Sequence, residues 1–182
     1  MDDEDHGLLA RVGEGDRQAL AELYRRHSHA LFQYLLRLTP DTGVAEEILQ
    51  DTFVAVWRSA ARFEGRSAAR TWLVGVARRQ AHNRLRRREL ELAGEAELAD
   101  LATPDPSPEN AALLLATRDE LIAAVGRLSP VHREALALAV GQGMSAQEIA
   151  DVLGIPVGTA KSRLRDAKRA LRAMLRTEEE VS

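Results

Sequence analysis

The chain has 182 residues, 28 acidic and 25 basic side chains and a formal net charge of −3, which suits one or two small domains and gives no whole-molecule attraction to nucleic acid. It contains no cysteine, which excludes disulfides, thiolate zinc sites and thiol redox sensing. The start Met1-Asp2-Asp3-Glu4-Asp5 is the opposite of a secretory leader, and the longest charge-free run, Ala135 to Gln147, is too short to span a bilayer, so a cytoplasmic protein with no membrane insertion of its own is expected.

Leu, Ala, Arg and Glu dominate, while Val and Ile are scattered without alternation, which predicts an all-α fold. In chain order, a short N-terminal helix ends at Gly15-Asp16, and Asp16 caps a second helix running to about Leu38. Thr39-Pro40-Asp41 is a turn. A third helix is predicted from about Val44 to Phe63, with Ala45, Ile48, Leu49, Phe53, Val56 and Trp57 as its buried stripe and Glu46, Glu47, Gln50 and Asp51 on the other face. Glu64-Gly65-Arg66-Ser67 reads as a loop, and a fourth helix runs from about Ala69 to Leu90.

The end of that fourth helix carries Arg78, Arg79, Arg84, Arg86, Arg87 and Arg88 with His82 and Asn83, and no acid. Guanidiniums on nearly every side of a helix need solvent or a polyanion. Just before it, Phe63 and Trp72 are interleaved with Arg62, Arg66 and Arg70, a pattern suited to unpaired bases that can stack or be extruded. From Glu89 to Glu109 the charge reverses, with acids at 89, 91, 95, 97, 100, 105 and 109, no Lys or Arg, and the run Thr103-Pro104-Asp105-Pro106-Ser107-Pro108. A flexible acidic linker is expected over 93–108, between domains at 1–92 and 109–182.

Helices are predicted at about 109–126 and 130–140, each opened by a Ser-Pro pair (Ser107-Pro108 and Ser129-Pro130). Ser145 and Glu148 then form a capping box, Ile149, Val152 and Leu153 an apolar face, and Ala150 a close crossing point. Gly154 ends that helix and Pro156 starts the last one, which is the pattern of a helix-turn-helix. In the last helix Ala160, Leu164, Ala167, Leu171, Met174 and Leu175 make one stripe, and Lys161, Arg165, Lys168, Arg169, Arg172 and Arg176 another, roughly 120° away. Asp166 is the one acid between Gly158 and Arg176. Solvated surface helices usually mix signs, so this stripe reads as a phosphate-backbone footprint.

Two segments together resemble a known family. Gly15-Asp16, Ala19-Leu20, Leu23-Tyr24, the run Ala45 to Trp57, Phe63, Thr71-Trp72-Leu73 and Leu85-Arg86-Arg87 resemble domain 2 of the extracytoplasmic-function sigma factors. Leu128-Ser129-Pro130 through Ile155 to Leu164 resembles their domain 4. The resemblance implies two small helical domains on a tether, core RNA polymerase and promoter DNA as partners, and a probable anti-sigma factor. It implies polymerase docking through Glu47, Gln50 and Asp51. It assigns the −10 element to Arg62, Arg66, Ser67, Arg70, Trp72, Arg78, Arg79, His82, Asn83 and Arg86. The −35 element falls to Thr159, Lys161, Ser162, Arg163, Arg165, Lys168 and Arg169. Arg79 stands where the family often has Asn, Asn83 where it commonly has Asp, and Ala160 where Val is usual; the first two bear on base preference at the −10 element.

Two rivals are weaker. A helix-turn-helix response regulator would need the strands of a receiver domain, which the first half lacks. An enzyme would need a nucleophile motif or phosphate-binding glycine loop, and His27 and His29, two residues apart on a helix, point to different sides. No catalytic residue, metal or cofactor is expected.

Overall fold

The computed structural model describes residues 2–39, 41–94, 121 and 123–179. The elements are α1 (Asp2–Gly13), α2 (Arg17–Leu38), α3 (Thr42–Ser59) with a 3-10 turn at Ala60–Arg62, α4 (Ala69–Gly94), α5 (Pro130–Leu136) continued by a π-helical turn at Ala137–Gly141, α6 (Ala146–Leu153) and α7 (Val157–Glu179). No strand occurs among the described residues. The chain forms two compact units, one holding α1–α4 and the other built around α5–α7.

The cap predicted at Asp16 starts α2, and Asp41, read from the sequence only as part of a turn, caps α3. Gly15 takes φ +91°, and Asp16 accepts from the Gln18 and Ala19 amides at 2.8 and 3.1 Å, satisfying amides that have no partner within the helix. Asp41 does the same for Val44 at 3.1 Å and starts α3 at Thr42, two residues earlier than its hydrophobic pattern suggests. At the other end Ser59 donates to the Ala55 carbonyl at 2.6 Å and the chain tightens into the 3-10 turn. The turn, rather than a continuous helix, therefore brings the chain to Phe63.

The core of this unit is the four-helix contact of Leu9, Leu23, Leu31, Tyr34, Leu35, Ile48, Val56, Leu73 and Val74, each at 0–2% exposure. Truncating Leu73 to Ala would cost about 2–5 kcal/mol through lost transfer energy and the remaining cavity. Thr52 is also fully buried, its hydroxyl donating to the Ile48 carbonyl at 2.7 Å; a polar residue inside the stripe is tolerated because its proton stays within the helix. α4 extends to Gly94, beyond the expected end near Leu90, since Glu89 to Ala93 are helix formers and Gly94 is the first breaker. The expected acidic linker otherwise lies outside the described residues, as does most of the helix expected at 109–126.

In the second unit the capping box is formed as predicted. The Glu148 carboxylate accepts from the Ser145 amide at 2.8 Å, and the Ser145 hydroxyl from the Glu148 amide at 3.3 Å. Gly154 takes φ +66° and lets the Ile155 amide reach back to the Ala150 carbonyl at 3.1 Å. Pro130 sits in the first turn of α5, but the Ser129 hydroxyl makes no capping bond there; its carbonyl receives the His132 and Arg133 amides instead. Ala135, Leu138, Ile149, Ala150, Ala160 and Ala167 are buried. Small residues on α7 allow α5 to pack closely against it.

The carboxyls of Asp16, Glu22 and Asp41 are held below the usual carboxylate range. The Ala19 amide and then the Arg11 guanidinium do this for Asp16, Arg25 and Arg26 for Glu22, and the Val44 amide and then Arg88 for Asp41. Because these groups titrate lower folded than unfolded, their stabilisation is complete above the ordinary carboxylate range and is lost as pH falls through it. Thermal melting from about pH 6 down to about pH 3 should show the midpoint falling from near pH 4. Asp16→Asn, which can still cap but carries no charge, should make that slope shallower; an unchanged slope would remove Asp16 from the acid response.

Candidate nucleic-acid and protein interfaces

α4 presents two faces, and its phase explains why. At about 100° per residue, Ala69, Leu73, Ala77 and Ala81 lie toward the core, and Arg84 and Arg88 continue that same side beyond it. There the apolar face gives way to ion pairs with α3: Arg84 with Glu47, and Arg88 with Asp41 at 3.3 Å. The arginine-rich end does not therefore need a polyanion on every side. Two of its six guanidiniums are matched by acids that a scan of α4 alone does not contain. The acidic face of α3 also has a structural part through Glu47.

Four other predicted residues of α4 fall on another side. Trp72, Arg79, Asn83 and Arg86 follow at intervals of seven, four and three, with His82 beside them. Arg79, His82, Asn83 and Arg86 are exposed, while Arg70, Trp72 and Arg78 are half-buried. Arg62 is exposed in the 3-10 turn, and Arg66 is exposed and ion-paired with Glu64 in the loop. Ser67 is half-buried, and its carbonyl accepts from His6 Nε2 at 3.2 Å.

Phe63 and Trp72 pack ring to ring, centroids 5.4 Å apart and planes tilted 53°, and the His6 ring lies 5.1 Å beyond Phe63. This row of three rings joins the loop to α4. His6 was not legible in the sequence: it sits in the polar N-terminal helix, and no local pattern links it to residues some sixty positions away.

On α3, Gln50 and Asp51 are exposed as expected. Gln50 and Glu46 border a shallow cleft whose α2 wall is Tyr24, Ser28, His29 and Phe32. Tyr24 is 46% exposed although its ring stacks on Phe53 at 4.8 Å. The contribution of α2 was not legible, because no local pattern sets Tyr24 and Phe32 beside Glu46 and Gln50 on another helix.

α7 is two-faced as predicted. Ala160 and Ala167 are buried and Leu164, Leu171, Met174 and Leu175 half-buried, whereas Lys161, Arg165, Lys168, Arg169 and Arg172 are exposed along the other side. Thr159, Ser162 and Arg163 lie half-buried at its N-terminal end, with the Ser162 hydroxyl donating to the Thr159 carbonyl at 2.9 Å. Asp166 lies 3.3 Å from Arg169 and 3.5 Å from Arg165, close to two of the stripe's guanidiniums. No helix among the described residues is long and apolar enough to cross a membrane.

Comparison with known proteins bears on both units. Residues 23–91 match the Sigma-70 region 2 family and residues 118–171 the Sigma-70, region 4 family. The chain is 33% identical over 172 residues to the ECF RNA polymerase sigma factor SigK of Mycobacterium sp. (strain JLS), covering 92% of this chain and 89% of that protein. It is 32% identical over 172 residues to SigK of Mycobacterium tuberculosis (strain CDC 1551 / Oshkosh), covering 92% and 91%. Among solved structures it is similar to CnrH, determined in complex with the cytosolic domain of CnrY, with a TM-score of 0.69, 27% identity and coverage of 95% and 97%. The fold is also that of RpoE from Bartonella quintana, determined in complex with the anti-sigma factor NepR, with a TM-score of 0.67, 24% identity and coverage of 85% and 97%.

The Glu47–Arg84 pair is half-exposed on both sides, so a double-mutant cycle on Glu47→Gln and Arg84→Gln should give a coupling of about 0.2–1 kcal/mol that shrinks with added salt. Zero coupling at low salt would show that α4 is held at this end by something other than the pair.

Proposed function

The chain belongs to the extracytoplasmic-function sigma factors, which direct RNA polymerase to promoters, and we propose that it divides that work among three of its surfaces. The α7 stripe reads the −35 element as duplex. The α4 face with Trp72 and the preceding loop takes the −10 element as opened strands. The acidic face of α3 with its cleft docks core RNA polymerase. In this reading the domains are residues 1–92 and 109–182, joined by the acidic segment 93–108.

The observation that supports this reading is the exposed basic stripe of Lys161, Arg165, Lys168, Arg169 and Arg172 on the second helix of a helix-turn-helix. The N-terminal residues of such a helix meet base edges while the flanking cations meet phosphates. Thr159, Lys161, Ser162, Arg163 and Arg165 are placed for the groove, and Lys168 and Arg169 for the backbone. In the first unit, Arg62, Arg66, Ser67 and Arg70 precede Trp72 and Arg78, Arg79, His82, Asn83 and Arg86 follow it along α4, and base–aromatic stacking of about 1–3 kcal/mol per base offsets part of the cost of melting.

The chain acts by binding, without chemistry of its own, in the cytoplasm where the polymerase is. It contains no cysteine, so thiol redox sensing is not the route by which its inducing signal reaches it. Relatives solved with a cytosolic protein domain or an anti-sigma factor support an anti-sigma protein as the route instead, one that covers the surfaces named here.

With core polymerase present, Arg165→Ala should cost about 1–3 kcal/mol in binding of a −35 duplex and relax preference at one base position. A uniform loss with a salt slope lower by about one would make it a phosphate contact, and binding unchanged on both counts would remove Arg165 from the interface. Gln50→Ala with Asp51→Arg should weaken association with core polymerase while leaving circular dichroism unaltered, because neither side chain packs in the fold; a loss of helicity would make that face structural.

A further inference from the structure

The loop 63–68 has little to fix it from within. Its backbone ties are the Phe63 amide to the Ala60 carbonyl at 2.9 Å and the Trp72 amide to the Ala68 carbonyl at 3.1 Å, one at each end. Gly65 at φ +68° turns it. Arg66 pairs with the neighbouring Glu64, within the loop itself. A loop of this kind samples many conformations unless another element holds it, and every alternative conformation is a cost when it must meet an extruded base.

The holding element is α1, which precedes the stretch matched to Sigma-70 region 2 at residues 23–91. His6 Nε2 donates to the Ser67 carbonyl at 3.2 Å; since a carbonyl only accepts, the proton is on Nε2. The same imidazole continues the ring row through Phe63 to Trp72. A Cβ built on Gly65 would lie 3.8 Å from His6 Cδ2, so the ring also lies beside the turn of the loop.

α1 can hold the loop because α1 is itself fixed. At its end, Gly13 abuts the 3-10 turn so closely that a Cβ there would lie 2.9 Å from Ala61 Cα. At its start, Asp5 is 4% exposed and accepts from Arg26 at 3.0 Å and His27 at 2.9 Å on α2. Arg26 also meets Glu4 at 3.0 Å and Glu22 at 2.5 Å, and these acids hold its guanidinium charged above its ordinary range.

We propose that His6 is a positioning residue for promoter opening: by bonding Ser67 and backing Phe63, it pre-sets the loop and Trp72 in the form that receives unpaired bases. The proposal rests on the reading of this loop as the −10 strand-opening surface. His6 touches no DNA in this role, and it acts on the step from closed to open promoter rather than on polymerase docking or −35 binding.

The test uses the full chain with core polymerase and two templates, a closed promoter and the same promoter with its −10 region opened in advance. His6→Phe keeps a ring beside Phe63 and removes the donor, and His6→Ala removes both. His6→Gln can place an amide donor near the position of Nε2. Open-complex yield on the closed template should fall about two- to tenfold for His6→Phe, the worth of one hydrogen bond as a ratio, and at least as far for His6→Ala. The opened template should restore most of it, and His6→Gln should stay near wild type on both. Polymerase affinity should be unchanged throughout. Equal defects on the two templates, wild-type opening by His6→Phe and His6→Ala, or a His6→Gln defect as large as that of His6→Phe would each overturn the proposal. Trp72→Ala separates the two levels. If it is rescued by the opened template while the His6 variants show no closed-template defect, the positioning role alone fails; if it is not rescued, the loop does not open strands and both readings fall.

Discussion

α4 is held against the rest of its unit by two different kinds of contact along one side. Over its first half Leu73, Ala77 and Ala81 are sealed in the core. Over its second half the same side carries Arg84 and Arg88, which reach acids on α3. This change from burial to ion pairing lets a helix of 26 residues project beyond a small core without losing its orientation. It also sets the surfaces on either side. The ion-paired side faces the acidic helix, and the side with Trp72, Arg79, Asn83 and Arg86 is turned away from it, with Arg79, Asn83 and Arg86 exposed. Partly exposed pairs contribute little to stability, so their main effect is on direction: they select which arginines stay available.

The second unit reaches a similar result by other means. Its capping box and the left-handed Gly154 fix the ends of α6, and the small residues Ala160 and Ala167 let α7 pack tightly by one face. With that face committed, the basic stripe is necessarily outward. Asp166, between Arg165 and Arg169, is one acid against the many cations of α7 and neutralises little of their field. Each unit thus spends its apolar residues on orientation and leaves its cations exposed, and the family's action on promoters follows from having two such faces on one chain.

Much of this was legible in the sequence because it is written in local patterns. Asp16, Asp41, Ser145 with Glu148, and Gly154 each act within four residues of themselves, and the α3 and α7 stripes follow helical spacing. The fold class and the separation into cationic and apolar faces follow from those patterns. What was not legible depends on partners distant in the chain. The match of Arg84 to Glu47 joins residues on different helices, and so does that of His6 to Ser67; each residue alone reads as an ordinary surface group. The same holds for Tyr24 and Phe32, which become a cleft wall only once α2 lies beside α3. The Ser129 hydroxyl is the reverse case, a local signal without its expected bond, because the backbone carbonyl of the same residue meets the first amides of α5.

The central claim is that the two cationic faces act on DNA in different states, α7 on duplex and α4 on separated strands. Photo-crosslinking from the two faces within one polymerase complex tests it most directly, with a crosslinking side chain placed at Arg165 in one variant and at Arg86 in another. The account predicts that position 165 reacts with upstream duplex both before and after promoter opening, and that position 86 reacts strongly with the −10 region only after it opens. Equal reaction of position 86 with closed and open promoter, or reaction of position 165 only after opening, would contradict it.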